Sequence, residues 1–344
     1  MVKKLDSYNP SDVGQMNGNL FGLPFDYGSA QTIIFGVPWE VTVSYRPGTA
    51  LAPQQVLDAS PQLDLYDFDN PNGWEQGIYM PPIDLDLLAK NNYYRSQAAL
   101  IIDRLEQGNP LSETPDLTAV LTDINQAGAD LNQWLFDRTK LAIKDGKKVG
   151  VIGGDHSVPL GYMQALADRY PDFGILHIDA HSDLRDAYEG FEFSHASIMF
   201  NALKISQISK LVQVGIRDVS AVERETIDRS QGRVVVYYDS LIKQQLYSGT
   251  TWQSIYQEAI AHLPQQVYIS FDVDGLDPKL CPETGTPVPG GLELEQAFCL
   301  CREVIHSGRE VIGFDVCEVG NAEWDGNVGA RIVYKLVNLM TCKS

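Results

Sequence analysis

Three stretches far apart in the chain each end an apolar run in acidic residues and histidine. They are Val149 to Ser157 (VGVIGGDHS), Phe173 to Asp183 (FGILHIDAHSD) and Val267 to Pro278 (VYISFDVDGLDP). Runs such as Phe173, Ile175, Leu176 and Ile178 read as buried strands. On a fully extended continuation Asp179, His181 and Asp183 point the same way, as do Asp272 and Asp274 after the third run. In the first stretch Gly153-Gly154 allows a tight turn before Asp155-His156, and a helix is expected from Ser157 to about Tyr170. Any one stretch could be an exposed acidic loop with a histidine. Three of them offer His156, Asp179, His181, Asp183, Asp272 and Asp274, and four carboxylates brought close together repel one another unless cations sit among them. A pair of divalent ions matches that charge.

The rest of the chain says how the stretches could meet. Strands are expected at Gln31 to Val37, Leu211 to Ile216, Arg233 to Tyr238 and Val311 to Val316 as well, with helices between them. A long amphipathic helix is expected from Leu117 to Asp145, with Trp134 on its core side, and a shorter helical patch near Ser96 to Glu106. The rhythm implies an α/β fold of three layers, α/β/α, around a central, mostly parallel sheet whose ligands lie at the strands' C-terminal ends. Residues 1–30 read as a polar, glycine-rich arm, and 31–344 as a single catalytic domain.

Charge and cysteine usage narrow the partners. A formal charge of -19 disfavours nucleic acid or an anionic membrane as a partner and favours a cationic small molecule. Cys281, Cys299, Cys301, Cys317 and Cys342 show no metal-ligand spacing and read as free thiols of a reducing compartment. The start, Met1 to Asp6, leads into polar sequence rather than a signal-peptide core, so a cytoplasmic protein without membrane spans is expected.

GGDHS, DAHSD and SFDVDGLDP together resemble the three signature motifs of the ureohydrolases, the binuclear-metal family of arginase, agmatinase and their relatives. The resemblance runs from about Ile34 to Asn338. It implies that His156 and Asp183 bind one metal, His181 and Asp274 the other, with Asp179 and Asp272 bridging. Oxygen and imidazole ligands suit Mn(II), with Ni(II) as the alternative. The same resemblance implies a metal-bridging hydroxide that attacks a guanidino carbon, urea as product, and a homotrimer or homohexamer. His195, in Ser194-His195-Ala196-Ser197, matches the family's proton-transfer histidine, although a loop histidine can simply be solvated. Glu318 matches the carboxylate that grips the guanidinium, and a carboxylate suits two parallel N–H donors in one plane. By the same resemblance either Asp183 or His195 passes the proton to the departing nitrogen. Mid-strand His177 reads as a satisfied core residue, and His262 and His306 as helical residues without partners of note.

Beyond the guanidino group the chain departs from familiar members. Arg185 stands where arginases carry a small polar residue; it either faces the pocket and repels a distal ammonium or turns away toward Asp186 or Glu189. After Glu318 the segment Gly320 to Asp325 contains Trp324, expected to close the space for a substrate tail. The turn at Arg46-Pro47-Gly48 either is purely structural or shapes the pocket mouth. With Pro38-Trp39-Glu40-Val41-Thr42 and the S-H-A-S segment, these features resemble the guanidine hydrolase branch, which cleaves free guanidine to urea and ammonia. Free guanidine is therefore the leading expected substrate, agmatine the second, and arginine or a guanidino acid the third. Two other classes stay open: an inactive, metal-stabilised scaffold, and a metal-dependent deacetylase of related fold.

Overall fold

The computed structural model describes residues 8–342. Eight strands form one sheet: β1 (Thr32–Gly36), β2 (Ile78–Tyr79), β3 (Lys148–Ile152), β4 (Phe173–Ile178), β5 (Ile208–Ile216), β6 (Val234–Tyr238), β7 (Gln266–Asp272) and β8 (Glu310–Cys317). Their order is β2-β1-β3-β8-β7-β4-β5-β6, and every pairing is parallel. A parallel sheet needs crossovers that cover both faces, which is why its strands are apolar along their length rather than alternating. β4 is buried at all six positions.

The crossovers and flanks are helical: α1 (Ala52–Ala59), α2 (Leu85–Glu106), α3 (Pro115–Lys144), α4 (Leu160–Ala167), α5 (Ile198–Ala202), α6 (Ala221–Arg229), α7 (Asp239–Tyr247), α8 (Trp252–Ala261), α9 (Leu294–His306) and α10 (Glu323–Thr341). α3 opens on Pro115, whose missing N–H costs nothing at a first helical position, and buries Ile124, Ala127, Leu131, Leu135, Thr139 and Ala142 at three- and four-residue steps. Trp134 lies at the edge of this stripe, donating from Nε1 to Asp84 Oδ2 at 3.3 Å under a stacked Arg138 guanidinium. α4 is shorter than the sequence suggests, because Val158-Pro159 precedes its first regular turn. α2 is longer: Asp84 caps it by accepting the Asp86 and Leu87 N–H groups, so the helix starts well before the patch at Ser96.

Part of the expected arm is core. Leu20, Phe21, Leu23 and Phe25 are buried, and the Phe21 ring lies 4.9 Å from that of Tyr334 on α10. Residues 1–7, with the first stretch of the arm and the start of the chain read for targeting, lie outside the described residues. Among the described residues no helix is long and apolar enough to cross a membrane, and Cys281, Cys299, Cys301 and Cys317 are free thiols.

Candidate metal centre

β3, β8, β7 and β4 are neighbours in the middle of the sheet, so the segments leaving their C-terminal ends converge. β3 runs through Gly153-Gly154 to His156, β4 ends just before Asp179, β7 ends on Asp272, and β8 ends just before Glu318. Gly154 is required at its place: a Cβ there would stand 1.8 Å from the Trp39 carbonyl oxygen.

The six expected ligands meet. His156 Nδ1 lies 3.1 Å from Asp179 Oδ2, 3.2 Å from Asp183 Oδ2 and 3.3 Å from Asp272 Oδ2. His181 Nδ1 lies 3.0 Å from Asp274 Oδ2 and 3.4 Å from Asp179 Oδ1. One N–H hydrogen cannot serve three carboxylates at once, so hydrogen bonding alone leaves most of this charge uncompensated. Ligand atoms about 2.1 Å from a shared ion stand roughly 3.0–3.4 Å apart along the edges of its coordination shell. The residues therefore fit a metal site. His156, Asp179 and Asp183 belong to one set of donor atoms within 4.8 Å of one another, and Asp179, His181 and Asp274 form a second that shares Asp179.

Two details differ from the extended segment expected after β4. The strand stops at Ile178, and Asp183 reaches the cluster through a left-handed backbone, φ +53. Glu318 is likewise left-handed, φ +62. Non-glycine residues in that region carry strain that surrounding contacts must hold, and such strain concentrates at functional sites.

The second layer fixes the donors. His156 Nε2 lies 2.9 Å from Ser270 Oγ and 3.6 Å from Asp315 Oδ1, which leaves Nδ1 for the cluster. His177, read as plain core, is indeed fully buried but touches the site: its Nε2 is 2.8 Å from Asp179 Oδ2, with Gln213 Nε2 at 2.9 Å from Nδ1. Asp272 Oδ1 accepts the Asp274 N–H, and Asp274 Oδ1 accepts the Ala180 N–H. The His177 contact is foreshadowed only by its position two residues before Asp179 on one strand face.

Protonation follows the crowding. Burial alone would lower the pKa of His156, but Asp179, Asp183 and Asp272 outweigh it and hold it well above the usual value. Burial, then the Asp179 charge, pushes Asp183 up to about 6; burial, then Asp274 and Asp179, pushes Asp272 well up. Burial opposes ionisation of Asp179, yet the neighbouring histidines win and hold it well below the carboxylate range. Without metal the site thus takes up protons. A carboxyl or imidazole whose folded pKa is raised contributes stability below its unfolded pKa and loses it as pH rises through the folded value. For Asp183 that window runs from about 4 to about 6. Metal-stripped protein is therefore expected to lose stability from this cluster as pH rises from about 4 through 6, with the protonated histidines extending the loss higher. Mn(II) or Ni(II) at a hundredfold excess over its Kd should restore about 2.7 kcal/mol per site at pH 8 and much less at pH 5, where ligands hold protons. Thermal melts with and without metal at the two pH values check this; equal shifts at both would contradict it.

His181, Asp183, His195, Asp272, Asp274 and Glu318 line one cavity of about 170 Å³ that Arg185 also lines. Arg185 lines this space, with Glu223 rather than Asp186 or Glu189 as its ion-pair partner: its Nε is 3.7 Å from Glu223 Oε2, and its guanidinium lies over the Tyr188 ring at 4.6 Å. Glu318 Oε1 accepts the His156 N–H at 3.0 Å, while the buried Oε2 has no partner within the protein. Trp324 does not join the cavity; it is 53% exposed, and its Nε1 donates to the Lys279 carbonyl. Arg46 donates to the Pro282 carbonyl at 2.7 Å and pairs with Glu283 at 3.4 Å.

Known proteins carry the same arrangement of elements. A profile described as the arginase family matches residues 30–341. The chain is 28% identical over 317 residues to an N(1)-aminopropylagmatine ureohydrolase of Thermus thermophilus, covering 91% of each, and 27% identical over 318 residues to an agmatinase of Bacillus subtilis, covering 91% of this chain and 92% of that one. The fold matches the agmatine ureohydrolase of Thermoplasma volcanium with a TM-score of 0.69 at 21% identity, over 99% of this chain and 97% of that one. It matches the Medicago truncatula arginase with a TM-score of 0.65 at 22% identity, over 91% and 88%. With the profile spanning nearly its whole length, the chain belongs to the arginase family, whose members are hydrolases of guanidino carbon–nitrogen bonds.

Proposed function

We propose that the chain hydrolyses the guanidino C–N bond of a small cationic substrate and releases urea, with free guanidine as the substrate and ammonia as the second product. The observation that carries the reading is Glu318. Its buried Oε2 is unpartnered, its side chain lines the same cavity as His156, His181, Asp183, Asp272 and Asp274, and a guanidinium N–H supplies the missing partner. Gly285 leaves room there, since a Cβ would come within 2.8 Å of that oxygen. Burial, then the Asp155 charge, raises the pKa of Glu318 well above the usual value, so a cation entering beside it also stabilises the ionised form.

His156 and Asp183 would hold one divalent ion, His181 and Asp274 the other, with Asp179 and Asp272 shared; Mn(II) and Ni(II) both suit oxygen and imidazole donors. When bound, such ions lower the pKa of water enough to supply a nucleophile at neutral pH. Glu318 orients the planar carbon for attack. His195 takes the proton that water loses and returns it to the departing nitrogen, with Asp183 as the other candidate for that transfer. Burial lowers the His195 pKa, and in the metal-free protein repulsion from His181 and His156 adds to it; burial alone already favours the neutral imidazole that can accept.

Arg185 supports the choice of guanidine, because an extended tail ending in ammonium meets a guanidinium in a small cavity. Asp218 favours a second reading: its exposed carboxylate lines the same cavity and could hold the distal ammonium of agmatine. The relatives named for agmatine or aminopropylagmatine agree with that reading. Urea release from guanidine, agmatine, N1-aminopropylagmatine, arginine and a guanidino acid, with Mn(II) and Ni(II) loaded separately, separates them. Guanidine is expected to give the highest kcat/KM. A hundredfold preference for agmatine would overturn the choice of substrate, and no urea from any of the five under either metal would leave a scaffold.

A further inference from the structure

We infer that Thr42, held by Asp155, is the residue that sets the tautomer of His195, keeping hydrogen on Nδ1 and the Nε2 lone pair free for the reaction. The inference rests on the proposed proton-transfer role of His195. Thr42 is buried in the loop after β1, far in sequence from both residues it touches. Its Oγ1 accepts the backbone N–H of His195 at 3.2 Å, lies 3.3 Å from His195 Nδ1, and donates to Asp155 Oδ2 at 3.4 Å.

A hydroxyl has one hydrogen and two lone pairs. The backbone N–H of His195 occupies one lone pair, and the hydrogen goes to Asp155. Only a lone pair remains for Nδ1, so Nδ1 must be the donor. Asp155 is set up as an acceptor, since its Oδ1 already receives both the N–H and the hydroxyl of Ser157, at 3.0 and 2.5 Å. Ser194 Oγ accepts the Ala196 N–H and keeps its hydrogen, but at 3.5 Å from Nδ1 it is the more distant of the two hydroxyls.

The loop is braced to keep Thr42 in place. Glu40 Oε2 accepts the Gly48 and Ala50 N–H groups and the Thr49 hydroxyl, while the Glu40 N–H donates to Asn91 on α2. When Nε2 takes up the proton lost by water, Nδ1–H stays bound to Thr42, and the new positive charge faces Asp155 across a single hydroxyl. Returning the proton to the departing nitrogen restores the neutral ring.

Thr42→Val removes the hydroxyl at nearly constant volume. In the metal-loaded enzyme it is expected to lower kcat about tenfold to a hundredfold with KM and metal content within about twofold of the parent. Thr42→Ser should stay within about threefold of the parent, and Thr42→Val added to His195→Ala should cost nothing further. Thr42→Ala, which introduces no new contact, serves if the valine variant does not fold. Independently of activity, 15N shifts of labelled histidine should place the hydrogen on Nδ1 in the metal-free parent and lose that preference in Thr42→Val. A full-speed Thr42→Val beside a slow His195→Ala, an equal loss in both backgrounds, or hydrogen on Nε2 in the parent would overturn the inference alone. A full-speed His195→Ala would overturn the role of His195 and this inference with it.

Discussion

Asp272→Asn is expected to abolish measurable urea release while leaving the metal-free protein folded. The substitution keeps the volume of the side chain and an oxygen able to accept the Asp274 N–H, now held at 2.8 Å. What it removes is one of the three carboxylates around His156 Nδ1. Taking one partner from a buried charged set costs about 3–5 kcal/mol, which corresponds to roughly a hundredfold to several thousandfold in retention of the ions. In metal-stripped protein the sign reverses. Burial and the Asp274 and Asp179 charges already oppose ionisation of Asp272, so a neutral amide relieves repulsion and denaturation should require equal or more denaturant above pH 7. Urea assays on loaded protein and denaturant titrations on stripped protein read the two effects. Wild-type activity in Asp272→Asn, or marked destabilisation of its stripped form, would contradict the proposed part of Asp272.

Glu318→Gln should lower kcat/KM by about a hundredfold to a thousandfold without changing metal content. The amide oxygen can still accept the His156 N–H, so the β8 end and the turn at His156 keep their contact. The buried Oε2, however, becomes either an N–H donor or a neutral acceptor facing a cation. Hydrogen bonds to charged groups contribute about 1.5–3 kcal/mol each, and a guanidinium loses the paired, charge-assisted contact. Saturation kinetics with metal analysis on the same samples checks the result. A loss confined to metal content would make Glu318 a part of the metal centre instead.

Much of this centre can be read from the chain because it is local. The segments before Gly153, Asp179 and Asp272 are continuous apolar runs, as strands buried on both faces require, and the ligands sit where such runs break into aspartate and histidine. Asp183 was reached by a different route than the alternation implies: the chain leaves the extended region and returns through a left-handed residue, which a period of two cannot express. The first half of α2 is not legible in the sequence, because its exposed face mixes Leu85, Tyr93 and polar residues, giving little periodicity, while its start depends on the cap at Asp84. β2 is a two-residue strand whose place comes from its partner β1. Glu40 and Thr42 stand in the segment Pro38 to Thr42, but what each of them holds is not legible there, since their contacts reach residues up to 153 positions away. Trp324 shows the converse error: a large aromatic near a site in sequence can face solvent from the first turn of a helix.

The account depends on six side chains from neighbouring strand ends sharing two divalent ions, and counting those ions tests it most directly. Protein stripped with a chelator, reloaded with Mn(II) or Ni(II), freed of excess metal and analysed for both metal and protein should contain two ions per chain, falling to one or none in Asp272→Asn. Full urea release from wild-type protein holding one ion or none would contradict it.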